Sequence, residues 1–203
     1  MSLTLSIADV ARQPEQLTAQ LHAGDGSAFT ARVLRGTDGA ALGRYFDNLG
    51  PSVRGVYRPH PLNADHAAVL CDALDYGQLL PFVAIDGEDI DDGDIIGYFL
   101  VRIGLRNDDL LRYVDYGQSL LDEQCCTLAP CVADAWQERG LGSALFLHVT
   151  ASLRRLGRRH LVLWGGVRGD NPRAQHFYRK FGFRHVGNFS AKCPDNLDMI
   201  LDL

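Results

Sequence analysis

Along this chain the apolar positions recur with two periods, and the switches between them mark the elements. Phe29–Leu34 is a short apolar run of strand length. Ala40, Leu42, Tyr45 and Phe46 then recur at helical spacing, so a helix is expected to about Leu49, capped by Thr37 or Asp38 and stopped by Gly50-Pro51. Asn63 is a good N-cap for a second helix over Ala64–Tyr76. Leu80–Ile85 and Ile95–Leu105 are β-rich runs around the Gly/Asp turn Asp86–Asp94. Six carboxylates in that turn lack the alternating spacing and closing Glu of a calcium loop, so a solvated hairpin turn is expected.

The second half is more regular. Asn107–Leu121 is polar with scattered Leu and Tyr and reads as a loop with a helical turn or two. Cys125–Val132 is a strand. Gly140–Leu156 is the strongest helix, with Leu141, Leu145, Val149 and Leu156 on one face and Gly157 closing it. Leu161–Val167 is a near-continuous apolar strand, as expected where both faces are covered. Asn171–Phe181 reads as a helix with Pro172 in its first turn, followed by strands over Arg184–Phe189 and Leu197–Leu203. Residues 1–26 read as an N-terminal extension, with a helix around Pro14–His22 and a Gly-rich break at Ala23–Gly26. The order β-α-α-β-β-β-α-β-α-β-β, in a domain over residues 27–203, is that of an α+β fold, a mixed sheet flanked by helices.

Length and composition narrow the class. At 203 residues, 46% hydrophobic and 22% charged, the chain is an ordinary globular domain that can bury a core without disulfides or metal. No apolar run reaches the length of a bilayer span, and Met1–Leu21 lacks the pattern of a signal peptide. The five cysteines match no zinc spacing, and free thiols in a reducing cytoplasm are expected. The net charge of -5 conceals an asymmetry. Between Arg139 and Arg184 ten basic residues face one acid, Asp170, for a local charge of +9, which leaves -14 on the remainder. One segment is therefore suited to an anion.

The chemistry concentrates at Val132-Ala133-Asp134-Ala135-Trp136-Gln137-Glu138-Arg139-Gly140-Leu141-Gly142-Ser143-Ala144. A strand ends, a polar loop follows, and two glycines open an amphipathic helix. The first turn of a helix leaves backbone N–H groups without partners, and its dipole adds positive potential there. Glycines let an anion approach them, so this is a phosphate site in principle, with the Arg139 charge beside it. Gly142 is followed by Ser143-Ala144 rather than Lys-Ser/Thr, which excludes a triphosphate P-loop. Leu145 stands where a dinucleotide loop needs its third glycine, and no acidic residue follows at the right distance.

Gln137-x-x-Gly140-x-Gly142, with Val132 five residues earlier, resembles the pyrophosphate-binding motif of the GNAT superfamily of acyl-CoA-dependent N-acyltransferases. Asn171-Pro172-x-Ala174-x-x-Phe177-Tyr178-x-x-Phe181-Gly182-Phe183 resembles that family's next motif, with one helix and one strand between the two. The resemblance implies a mostly antiparallel sheet with splayed central strands, here Cys125–Val132 and Leu161–Val167, and acetyl-CoA as co-substrate with no metal. It implies that Cys131 and Val132 offer N–H groups to the pantetheine arm or the thioester carbonyl. The pyrophosphate would rest on the N–H groups from Glu138 to Ala144, through Arg139, Gly140, Leu141, Gly142 and Ser143. Asn171 would bond the arm, Gln137 and Phe177 belong to the same motifs, and Arg173 would add its charge to the cofactor side. By the same analogy Tyr178 is the general acid for the departing thiolate.

A general base is less legible. Some relatives carry a glutamate eleven residues before the motif Gln, where this chain has Cys126. Glu123, three residues earlier, is the substitute candidate, acting through water, with His160 and His176 as other titratable groups. Arg54, Tyr57, Arg58 and His60 lie in the region that lines the acceptor pocket in this family. The expected reaction is acetyl transfer from acetyl-CoA to a primary amine of a small molecule or protein. A non-catalytic acyl-CoA sensor of the same fold is the alternative. Neither nucleic acid nor membrane is expected as a partner, and a homodimer through the late strands is compatible with the resemblance.

Overall fold

The computed structural model describes residues 5–88, 93–190 and 195–203. Residues 89–92 of the Gly/Asp turn and Cys193 lie outside the described residues. The helices are α1 (Ile7–Arg12), α2 (Gly39–Asn48), the single turn α3 (Pro51–Arg54), α4 (Ala64–Asp72), α5 (Asn107–Asp115), α6 (Leu141–Arg155) and α7 (Pro172–Lys180). The strands are β1 (Ala19–His22), β2 (Ala28–Val33), β3 (Leu79–Asp86), β4 (Ile95–Ile103), β5 (Cys125–Val132), β6 (His160–Leu163), β7 (Val167–Arg168), β8 (Arg184–Phe189) and β9 (Asn196–Asp202). They form one mixed sheet in the order β1-β2-β3-β4-β5-β6-β9-β7, with β8 also on β9. Its pairs are antiparallel except β5–β6. The α+β sheet flanked by helices is thus as expected from the sequence.

Each face of the sheet carries its own core. On one, Leu141, Leu145, Val149 and Leu153 of α6 pack with Phe82, Phe99, Leu128 and Leu161. On the other, Leu42, Tyr45 and Phe46 of α2 and Ala67 and Leu70 of α4 cover Val83, Tyr98 and Leu100. The alternation of β4 between these cores, Phe99 to one side and Tyr98 and Leu100 to the other, is the period of a strand buried on both faces.

Three local expectations are corrected. Pro14–His22 is not a helix. Pro14–Leu17 forms one 3-10 turn, and Ala19–His22 pairs antiparallel with Ala28–Ala31. The expected domain boundary thus falls within the β1–β2 hairpin. Leu5, Val10 and Leu17 are buried in the α6-side core, and the Leu5 N–H donates to the Arg155 carbonyl at 2.8 Å. Leu17→Ala should therefore lower unfolding stability by about 2–4 kcal/mol in denaturant titration, as for a core leucine. Asn107–Asp115 is a continuous nine-residue helix, longer than the helical turn or two expected within a loop, because Leu110 and Tyr113 pack into a third small core. Its Arg112 is held by Asp109 at 2.7 Å and by the buried Asp198 at 2.8 Å.

The third correction shapes the site. Leu161–Val167 is two strands, broken where Gly165 and Gly166 adopt left-handed φ values of 63° and 68°. A Cβ on Gly166 would stand 2.7 Å from the Leu197 carbonyl oxygen, so the turn is built for glycine. The chain leaves β5 there. Pairing between β5 and β6 runs from Cys125–His160 to Leu128–Leu163 and ends with Trp164 N donating to Leu128 O at 2.9 Å. From Ala129 to Val132 strand β5 pairs only with β4, so the central strands splay.

Candidate active site

The splay opens into a cavity of about 890 Å³. It runs from the loop before α6, along the free half of β5, to the segment after α3. Its walls follow from backbone parity on β5. Cys125 O accepts from Gly104 N and Ala133 N donates to Ile96 O, both at 3.0 Å, so odd-numbered residues turn their polar groups to β4. Gln124 O accepts from Arg159 N and Leu128 O from Trp164 N, so even-numbered residues face β6. Beyond Leu128 the gap therefore meets Pro130 and Val132. Proline has no N–H to lose there, which fits a position where the ladder ends. The Val132 N–H is free in the gap.

Cys131 is corrected by the same parity: its N–H belongs to the β4 ladder. Tyr45 Oη donates to the Cys131 carbonyl at 3.0 Å and lies 3.3 Å from its Sγ. Burial pushes the Cys131 thiol up to about 12, so it is no thiolate nucleophile near neutral pH. Cys125 and Cys126 are likewise buried and pushed up to about 12 by desolvation.

At the other end lies the loop Gln137–Ala144. Glu138 and Gly140 adopt φ values of 62° and 85°, Gly140 as the N-cap of α6. Ser143 N and Ala144 N both donate to Gly140 O at 3.1 Å. Among the described residues, the N–H groups of the five residues Glu138–Gly142 have no acceptor. The expected set from Glu138 to Ala144 is thus shortened by two. Five successive donors at a helix N-terminus, with two left-handed residues, form a concave anion cradle. The Leu141 side chain points into the core, and Ala144 packs against it. Gly142 and Ser143 line the cavity.

Arg139 is also corrected. It does not line the cavity. Its Nε binds Asp25 Oδ2 at 2.5 Å and its second guanidinium nitrogen binds Ser27 Oγ at 2.7 Å, while the guanidinium lies 3.9 Å from the Trp136 ring centre. Asp25 N donates to Arg139 O at 3.1 Å, and the turn between β1 and β2 packs its Gly24 against Gly140. The Arg139 side chain thus fastens the cradle to the N-terminal hairpin, and only its backbone N–H faces the anion site. The Ser27 backbone N–H, then the Arg139 guanidinium, hold the Asp25 carboxyl down at about 2, so the clamp is charged at neutral and mildly acidic pH. Asp25→Ala should weaken anion binding at the cradle several-fold with little change in global stability, read by calorimetric titration and thermal melts.

Other motif residues reach the cavity. Asn171 caps α7, its Oδ1 accepting from Ala174 N at 3.1 Å; its Nδ2 makes no hydrogen bond among the described residues. Gln137 bridges two groups: its Nε2 donates to Val132 O at 3.2 Å, and its Oε1 accepts from Arg173 at 2.7 Å. Arg173 also lies 3.9 Å from Glu138, and Lys180 approaches Ser143 Oγ at 3.4 Å. Phe177 lines the cavity and packs edge-on against Phe146. Tyr178 is buried but lines the cavity, and its hydroxyl has no hydrogen-bond partner among the described residues. Burial pushes that phenol well above its ordinary range, so it stays protonated.

The base candidates fare differently. Glu123 is exposed before the first residue of β5, at the end where β5 and β6 are still paired, and does not line the cavity. His160, the first residue of β6, pairs with Asp202 at 2.9 Å and does not line the cavity. His176 is exposed on α7 and reaches the cavity wall. Arg54 is fully engaged, donating to the carbonyls of Leu49 at 2.7 Å, Leu62 at 2.6 Å and Phe46. Tyr57 and Arg58 line the cavity. Pro130, Asp25 and Trp164 shape the site from outside the two motifs. A proline inside a strand is a readable sign of a broken ladder; the Asp25–Arg139 pair spans 114 positions and has no local sign. No group of three or more His, Cys, Asp or Glu side chains fit for a metal occurs among the described residues, nor a helix long and apolar enough to cross a membrane.

Comparison with known proteins agrees with this architecture. The GNAT domain of S. lividans PAT is 19% identical over 94% of this chain and 99% of that one, with a TM-score of 0.72. Mycobacterium smegmatis RimJ in complex with CoA-disulfide is 16% identical, covering 91% and 86%, with a TM-score of 0.64. The ribosomal-protein-S5-alanine acetyltransferase of Vibrio fischeri is 10% identical, covering 91% and 96%, with a TM-score of 0.65. At these identities the likeness is one of fold. No curated protein matches the sequence significantly. The model of the acetyltransferase (GNAT) family matches residues 54–183, from the end of α3 to the residue before β8, and this chain belongs to that family.

Proposed function

We propose that this protein transfers an acetyl group from acetyl-CoA to a primary amine of a small molecule or protein. One observation carries the reading. A single cavity joins the anion cradle, lined there by Glu138, Gly140 and Gly142, to the unpaired half of β5 and the unpartnered phenol of Tyr178. The cradle suits a pyrophosphate, and the Val132 N–H and Asn171 Nδ2 suit the amides of a pantetheine arm laid in the gap. The Val132 N–H is also the backbone donor β5 can turn to the charge developing on a thioester oxygen. Tyr178 supplies the proton that a departing thiolate needs. The amine attacks directly, with both substrates held in one cavity. The CoA complex of the M. smegmatis RimJ structure and the acetyltransferase names of other neighbours support the donor. The free thiols Cys71, Cys125, Cys126 and Cys131 favour a reducing cytoplasm as the place of action.

Two measurements test this. Acetyl-CoA should raise the melting temperature while nicotinamide dinucleotides leave it unchanged; the reverse ends the reading. Thiol release from acetyl-CoA should then depend on an added amine across a panel of alkyl amines, amino acids and peptides. Stabilisation by acetyl-CoA with no amine-dependent release would make the protein a sensor of acyl-CoA.

A further inference from the structure

An alkyl amine is protonated near neutral pH and must shed that proton to attack a carbonyl. Among the described residues the cavity wall carries one carboxylate, Glu138, and it sits at the anion cradle. The far wall is different. Tyr57 lines the cavity there, and its Oη lies 3.1 Å from His60 Nε2. Tyr98 Oη approaches the same nitrogen at 3.2 Å from beneath, fully buried. His60 Nδ1 lies 2.8 Å from the Pro61 carbonyl oxygen. A carbonyl only accepts, so the proton of a neutral His60 sits on Nδ1 and Nε2 presents a lone pair to the two phenols.

We propose that Tyr57 and His60 form a proton relay that deprotonates the acceptor amine: Tyr57 Oη takes the proton while passing its own to His60 Nε2. The inference rests on the acetyl-transfer reading above. The first proton leaves the ammonium this way and frees the nitrogen lone pair. That pair forms the C–N bond at the thioester carbon, and the C–S bond breaks with its electrons on sulfur, which takes the Tyr178 proton. The second nitrogen proton leaves by the same relay. Tyr57 gains a proton for each one it gives. Of the two protons delivered to His60 and on to solvent, one is the net proton released and the other replaces the one Tyr178 gave.

The surroundings fit this task. Burial, and then the neighbouring His66, pull His60 down to about 4 against the bond to Pro61, so it is neutral at neutral pH and its Nε2 lone pair is open. The His66 ring stacks on it at 4.3 Å, and Phe46 and Tyr98 pack against its other sides. His60 is half-buried rather than sealed, which gives the proton an exit. The three carbonyls held by Arg54, on Phe46, Leu49 and Leu62, fix both ends of the loop that carries Tyr57 and His60.

Tyr57→Phe removes the hydroxyl, and His60→Gln keeps an acceptor for the phenols while removing the base. Both are assayed with acetyl-CoA against the best alkyl amine of the panel and against hydroxylamine, which is uncharged at neutral pH. With the alkyl amine, kcat should fall about 10²- to 10⁴-fold in each variant. The double variant should fall no further, and the KM for acetyl-CoA should hold. With hydroxylamine the loss should be smaller, because the first proton is already absent and only the second needs the relay. Undiminished turnover of the alkyl amine overturns the relay. An equal loss with both nucleophiles also overturns it, since a merely structural role would not distinguish them. If His60→Gln melts well below the wild type, Tyr57→Phe alone decides. A wild type that acetylates no amine refutes the acetyl-transfer reading itself, and the relay with it.

Discussion

Gly140→Ala is expected to weaken acetyl-CoA binding by about a hundredfold or more. Gly140 holds a φ of 85°, where an L side chain costs about 1–2 kcal/mol. That alone is about tenfold in an equilibrium. A Cβ would also stand 2.5 Å from Gly24 N and 2.7 Å from Gly24 Cα, both backbone atoms of the adjoining hairpin. Neither can move without parting the cradle from the β1–β2 turn that Asp25 and Arg139 fasten to it. Gly142→Ala is the matched control with the opposite sign in stability. Its Cβ would meet Val132 Cγ2 at 3.6 Å and Phe177 Cε2 at 3.8 Å, ordinary contacts. Replacing glycine in the first turn of α6 should raise stability by up to about 1 kcal/mol. The methyl nonetheless stands in the cavity wall beside the free donors, so affinity should fall about tenfold. Calorimetric titration with acetyl-CoA and thermal melts separate the two. Unchanged affinity in both variants would show that the cradle does not hold the pyrophosphate.

Tyr178→Phe should lower kcat by about 10²- to 10⁴-fold while the acetyl-CoA dissociation constant stays within about twofold. The ring is packed by Phe177 at 5.6 Å and Phe183 at 5.2 Å, and phenylalanine preserves both contacts. The hydroxyl has no hydrogen-bond partner among the described residues, so its removal strands no other group. The sign of the pH dependence follows from burial. Desolvation penalises the phenolate and raises the pKa, so the acid form persists through neutral and moderately alkaline pH. The kcat of the wild type should therefore show no alkaline loss from this group below about pH 10. A variant as active as the wild type would leave Tyr178 as packing alone.

The Asp25 and Leu17 variants concern the N-terminal residues, and their readouts are independent. Leu17→Ala reports on core burial and should move stability. Asp25→Ala reports on the clamp at the cradle and should move anion binding there. Together they ask whether residues 5–26 serve the fold, the cofactor loop, or both.

Whatever depends on near neighbours was legible in the amino-acid sequence. The period of α6, the Asn63 and Asn171 caps, the limits of β5 and the left-handed Gly157 are local, because a helix, a cap and a turn are each set by residues within a few positions. The cradle glycines and Tyr178 are legible for the same reason: each lies in a short motif. Leu161–Val167 was legible only in part, since its apolar run hid the turn at Gly165-Gly166. What only the tertiary structure decided are pairings between distant residues. Arg139 reads as an anion ligand until the β1–β2 hairpin brings Asp25 and Ser27 to it. Cys131 and Val132 read alike until the register against β4 turns one N–H into the ladder and leaves the other in the gap. Glu123 reads as a base until the direction of β5 carries it away from the cavity, and Tyr57, His60 and Tyr98 meet across 38 positions only because α2 and its loop pack on β4. Local sequence sets which conformations a segment prefers, but sheet register and packing fix which side chains meet.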